Sequence, residues 1–149
     1  MAVYNKFDVF VENLANKVMD LFGSPVGDVL KIMLVNSPAP VATNQVKADL
    51  TEIAAGNGYT AGGTAIPTNN GTRSTGTMTL AGDQVVFTAA GGAIGPFRYV
   101  VCYDDTPIAP ADPLQSWWDY GAGLTLNDGE TFTVKFNGAA SAGTIFTLA

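Results

Sequence analysis

Histidine is missing altogether from this 149-residue chain, and that single absence removes the commonest general base and the commonest transition-metal ligand. Ser–His–Asp and Cys–His catalysis are thereby excluded, and no Ser-x-x-Lys spacing occurs to support a histidine-free alternative. The one cysteine, Cys102, allows no intrachain disulfide. It lies inside an apolar run, where a thiol is buried and inert rather than nucleophilic. Charge is scarce too: only 13% of residues are charged, against a usual quarter or so. A surface so poor in charge is screened by neutral polar groups or covered by other chains, and the second is the expectation here. Seven Lys and Arg, scattered from Lys6 to Lys135 in a chain of net charge −6, form no basic stripe. Neither nucleic acid nor an anionic membrane surface is therefore an expected partner. No run of ~18 apolar residues occurs to span a bilayer. No basic region followed by an apolar segment marks a signal peptide, which points to synthesis in a cytoplasm.

What is present is apolar, small and turn-rich. Hydrophobic residues make up 47%, and the length suits one domain over residues 1–149. The strongest run is Ile94–Tyr103, IGPFRYVVCY, bounded by a glycine-rich break and by Asp104, Asp105, Thr106 and Pro107. Alternation puts Phe97, Tyr99, Val101 and Tyr103 on one face and Arg98, Val100 and Cys102 on the other, the pattern of a central strand covered on both sides. Val29–Val35 reads as a strand. Val46–Ile53 fits either a strand or one helical turn, and residues 54–76 read as an irregular loop. Within that loop Gly56, Gly58 and Gly62 fail as a dinucleotide fingerprint, because the third glycine comes one position late and no helix follows. Thr77–Leu80 and Gln84–Thr88 read as a hairpin about Ala81–Gly82–Asp83. Asn127–Asp128–Gly129 gives a second hairpin signal before Phe132, Val134 and Phe136, and Gly143–Ala149 closes inside a sheet. About eight to ten short strands at this spacing predict a mainly all-β fold, an antiparallel, jelly-roll-like β-sandwich.

Ahead of the strands, Tyr4–Phe22 has the helical period. Tyr4, Phe7, Val11, Leu14, Val18 and Leu21 step by threes and fours, and Phe10 widens the stripe. Asn5 suits an N-cap, and Gly23 with Pro25 a stop, so residues 1–24 read as an amphipathic helical arm. It either lies across an open end of a sheet or docks onto a neighbouring subunit.

Carboxylates Asp104, Asp105, Asp112 and Asp119 cluster around a proline-rich loop, as a glycosidase pair or a calcium site would need. Ordinary turn chemistry explains Asp104, Asp105 and Asp112 as well, and the spacing matches no EF-hand. No catalytic, metal or cofactor-binding residue is assigned, and no cofactor is expected. Trp117, Trp118 and Tyr120 are more specific. Alternation places Trp118 with Tyr120 and Trp117 opposite, as core, partner anchor or sugar platform. The candidate protein–protein interface is accordingly Tyr4, Phe7, Phe10, Val11, Leu14, Trp117, Trp118 and Tyr120.

Five segments carry a resemblance: APVATN at residues 39–44, LTEIAAGNGYTAGG at 50–63, IGPFRYVV at 94–101, WWDYG at 117–121 and GETFTV at 129–134. In this order and length they resemble small virion structural proteins of tailed bacteriophages, most of all capsid decoration (cement) proteins. The resemblance runs from about Val29 to the C-terminus. It implies a non-enzymatic homotrimer or homodimer that binds the major capsid protein on the outer face of the shell and stabilises it. A tail or surface-exposed protein with a carbohydrate or host-recognition role is the rival. On the decoration reading residues Met1–Phe22 are an arm, whose removal is expected to abolish assembly onto capsids while leaving the sandwich folded.

Overall fold

The computed structural model describes residues 2–22 and 27–149. The fold is mainly β, with antiparallel sheets and, among the described residues, one α-helix. In chain order the elements are β1 (Val3–Lys6), α1 (Asp8–Ala15), β2 (Leu30–Val35), β3 (Thr64–Ala65), β4 (Asn69–Ser74), β5 (Thr77–Gly82), β6 (Val85–Thr88), β7 (Ile94–Asp104), β8 (Leu114–Leu126), β9 (Thr131–Val134) and β10 (Gly143–Leu148). They pair as β1-β8-β7-β2-β3, β10-β5-β4 and β6-β9.

β7 sits in the middle of the five-stranded sheet, and its residues explain why. Val100 and Cys102 turn to a large apolar cluster that draws on all three sheets, with Leu30, Ile32, Leu80, Phe87 and Phe146. Tyr99, Val101 and Tyr103 turn the other way, to a smaller cluster with Phe7, Met33, Val35 and Leu114. A strand with apolar side chains on both faces is stable only where both faces are covered, and each fully buried Leu, Ile or Phe contributes roughly 1.5–3 kcal/mol. Phe97 departs from the expected face, since it joins Val100 and Cys102 in the large cluster. Its partner is Leu124, whereas Tyr99 pairs with Asp119, so the ladder is irregular between them and strict alternation fails there.

Three other expectations are corrected. The reading of residues 54–76 as a loop missed β3 and the β4–β5 hairpin, because Asn69–Ser74 is polar and mostly exposed, with no apolar alternation to betray a strand. β5 and β6 do not form a hairpin with each other; β5 pairs with β10 and β6 with β9. The Asn127–Asp128–Gly129 turn exists, with Gly129 at φ 85°, but it joins β8 to β9 in different sheets. Asp-Gly dictates a chain reversal; which strand β9 meets depends on the apolar side chains Phe132 and Val134 packing on the large cluster. β10 does enter a sheet, although among the described residues it pairs on one side alone, with β5. For Val46–Ile53 the helical-turn alternative is correct, as a 3-10 turn at Lys47–Asp49.

The N-terminal segment changes most. Instead of one helix from Tyr4 to Phe22 there is a strand, β1, paired with β8, then the eight-residue α1. The residue before the helix is Phe7 rather than Asn5, and it makes no side-chain cap. Phe7 N–H donates to Gln115 O at 3.1 Å and Asp8 N–H to Ala42 O at 2.9 Å, so the segment is stitched into the sheet at its midpoint. Phe7, Phe10, Met19 and Leu21 are all buried. A helix-like spacing served here as strand, short helix and turn in succession. The helix stop assigned to Gly23 and Pro25 lies outside the described residues.

Residues 52–63 clamp the far side of β2. Glu52 Oε1 accepts from Tyr59 O–H at 2.6 Å and Gly62 N–H at 2.7 Å, and the Tyr59 hydroxyl accepts from Leu34 N–H at 3.0 Å. Gly63, at φ 74°, lies so close that a Cβ there would stand 1.9 Å from Ile32 O. Only glycine fits that approach.

Candidate functional site

The candidate site is an open apolar cleft of about 1390 Å³ between β1, α1, β8 and the β9–β10 stretch. Its construction follows from parity along β1. Tyr4 and Lys6 point to the cleft side, and Tyr4 meets the edge of the Trp118 ring at 5.7 Å between centroids. From α1 come the neighbours Phe10 and Val11, and Leu14 one helical turn on. β8 contributes Trp118 and Tyr120, two residues apart on one face, as alternation predicts. The opposite wall carries Phe132, Phe136 and Phe146, with Phe146 edge-on to Phe10 at 5.0 Å and Phe136 at 6.0 Å from Trp118.

Of the eight expected interface residues, Tyr4, Phe10, Val11, Leu14, Trp118 and Tyr120 meet in this cleft. Their accessibility differs: Val11 and Tyr120 are 46% and 53% exposed, whereas Phe10 is a buried floor residue. Phe7 and Trp117 are elsewhere. They point through the sheet to the smaller cluster, where their rings lie 4.4 Å apart. Sequence reasoning missed Phe132, Phe136 and Phe146 as cleft residues, together with Lys6 and Lys135. The Phe132–Phe136 alternation was visible, but not that it lies opposite Trp118.

The electrostatics of the cleft are one-sided. Lys6 and Lys135 line it, and no carboxylate side chain does among the described residues. Burial pushes the Tyr4 phenol up to about 12, so that ring adds no anion. Two of the seven cations of an acidic chain thus border an apolar hollow.

The carboxylates of the proline-rich loop are dispersed by their own partners. Asp105 bridges to Lys31 at 2.7 Å and Asp112 to Lys47 at 3.7 Å. Asp119 accepts two bonds from Arg98 at 2.8 Å, and this pairing, ahead of the Gly121 N–H, holds its carboxyl below the usual range. Asp104 is no surface turn residue: it is fully buried at the end of β7. Among the described residues no three His, Cys, Asp or Glu side chains gather as a metal site. Cys102 is fully buried and burial raises its thiol far above the ordinary value, which suits packing and not nucleophilic attack. No helix among the described residues is long and apolar enough to cross a membrane.

Compared with known proteins, the chain matches no family model, no curated protein and no solved structure.

Proposed function

We propose that this chain is a non-enzymatic virion structural protein of a tailed bacteriophage, a jelly-roll-like β-sandwich that binds the outer capsid surface and stabilises the shell. One observation carries the reading: an aromatic cleft of about 1390 Å³ left open beside the N-terminal strand and helix. Leaving Trp118 and Phe132 only partly buried, and Val11 and Tyr120 exposed, forgoes burial that a free-standing domain would use, which favours a surface completed by another chain. The five segment resemblances supply the class of that chain, a major capsid protein, and a dimer or trimer is the expected form on the shell. A decoration protein adds contact area against the outward pressure of packaged DNA, and a mainly β body with an apolar cleft suits that task.

The test is location and copy number in particles of the phage that carries the gene. Hundreds of copies on the shell by quantitative mass spectrometry and cryo-electron microscopy are expected, with Tyr120→Asp and Val11→Asp reducing occupancy about tenfold or more, as for central interface anchors. A handful of copies at the tail, with glycan-array binding lost in Trp118→Ala, would replace this reading by host recognition. Absence from particles would refute both.

A further inference from the structure

We propose that the cleft takes an extended segment of another protein chain, apolar at alternate positions and flanked by carboxylates, which adds as a strand along β10. The inference deepens the virion reading by naming the chemistry of the partner segment.

The wall of the cleft carries the case. Where a strand turns a face to a hollow, alternate residues line it, as Tyr4 and Lys6 do from β1. From β10 five consecutive residues, 144–148, line it, and from β9 three, 132–134, followed by Lys135. The β5 ladder shifts register between Thr144 and Phe146, which breaks alternation there, and beyond the shift Phe146, Thr147 and Leu148 still line the hollow in succession, so the outer edge of the strand borders it. β10 is an outer strand of its sheet, and residues 144–148 make no main-chain hydrogen bond beyond the β5 ladder among the described residues. A bare edge of this kind is matched by an extended chain, through ladder hydrogen bonds, and not by a helix or a rounded surface. Five residues of edge span roughly 17 Å at about 3.3 Å per residue. The hollow also exceeds the roughly 300–1,000 Å³ of ordinary small-molecule sites.

Charge then selects among extended chains. Lys6 and Lys135 border the hollow, and among the described residues no carboxylate side chain lines it. A second copy seated here by two-fold symmetry would set the same two lysines against themselves, which opposes self-association through this face. A foreign segment with aspartate or glutamate beside its apolar residues complements them. Alternate side chains would enter over Trp118 and Phe146, and the others would face solvent.

The experiment uses the full chain and two synthetic octapeptides, alternating valine and threonine, one ended by aspartates and the other by lysines. Binding is followed by tryptophan fluorescence, and the contact by amide hydrogen exchange. The aspartate peptide should bind saturably, about tenfold tighter than the lysine peptide, and slow exchange at residues 144–148. In Lys6→Glu/Lys135→Glu, with an unchanged melting temperature, the preference should reverse. Equal binding of the two peptides, no binding at millimolar concentration, or unaltered exchange along 144–148 would overturn the proposal. So would a dimer in sedimentation with those amides already protected, or laurate occupying the cleft in place of the peptide. Copy number in particles is independent of each of these outcomes, so loss of one reading is distinguishable from loss of the other.

Discussion

Asp104 shows how far a residue's surroundings can depart from its sequence context. Read along the chain it opens a turn; folded, it is fully buried, with Oδ1 accepting from Thr106 N–H at 3.1 Å and Oδ2 without a donor among the described residues. Burial raises its carboxyl first, and the neighbouring Asp28 carboxyl raises it further, to about 8. Once protonated, the Asp104 carboxyl carries a donor and no longer buries a bare anionic oxygen. Because the folded value lies above the unfolded one of about 3.9, this proton's stabilisation is complete below about pH 4 and is lost as pH rises towards 8. The contribution falls by up to about 1.4 kcal/mol per pH unit within that window. Asp104→Asn keeps a donor for Asp28 and has no proton to lose. Urea melts should therefore find variant and wild type close at pH 4 and the variant more stable at pH 8. Parallel pH profiles would show that Asp104 is charged in the folded protein.

At the scale of elements, the sequence revealed strands that are apolar and turns that are glycine-rich, but not their partners. β2 and β7 were legible because both are near-continuous runs of large apolar residues, the mark of strands covered on both faces. β4 was not, since Asn69–Ser74 earns its place through the β5 ladder and carries no apolar face. Of the cleft, α1's stripe and the Trp118–Tyr120 parity were legible, because each is a local periodicity. The opposite wall was not, as it depends on a strand more than ten residues further along. The first segment misled for a physical reason: spacings of three and four also arise when a strand's alternate residue is followed by a helix. Its side chains now divide sharply. Phe7 and Phe10 are at most 2% exposed, whereas Val11 is 46% exposed on the cleft rim. Phe7→Ala and Phe10→Ala should each cost about 3–5 kcal/mol in urea unfolding, and Val11→Ala under about 1 kcal/mol. Equal small losses at all three positions would mean that β1 and α1 are not packed as described.

For the whole molecule, the same division decides whether the N-terminal stretch is a detachable arm. Sequence alone favours removal of Met1–Phe22 without loss of the fold. The structure argues otherwise, because that stretch supplies β1 to the five-stranded sheet and Phe10, Met19 and Leu21 to the large cluster. It also supplies Phe7 to the smaller cluster on the opposite face. At roughly 1.5–3 kcal/mol for each buried side chain, these four contribute on the order of 6–12 kcal/mol. A domain's entire margin is about 5–15 kcal/mol. Removing the stretch also bares one side of β8 and the sheet face above Tyr99 and Val101, leaving an unpaired apolar edge open to aggregation. The truncated chain should therefore lack a cooperative melt and fixed near-ultraviolet circular dichroism, and should bind a dye for exposed apolar surface. Loss of shell binding in such a truncation would then report unfolding, which is why Tyr120→Asp and Val11→Asp, at exposed positions of the cleft, are the informative variants. A cooperative transition within a few degrees of the full-length midpoint would instead establish residues 1–22 as an independent arm and return the docking function to it.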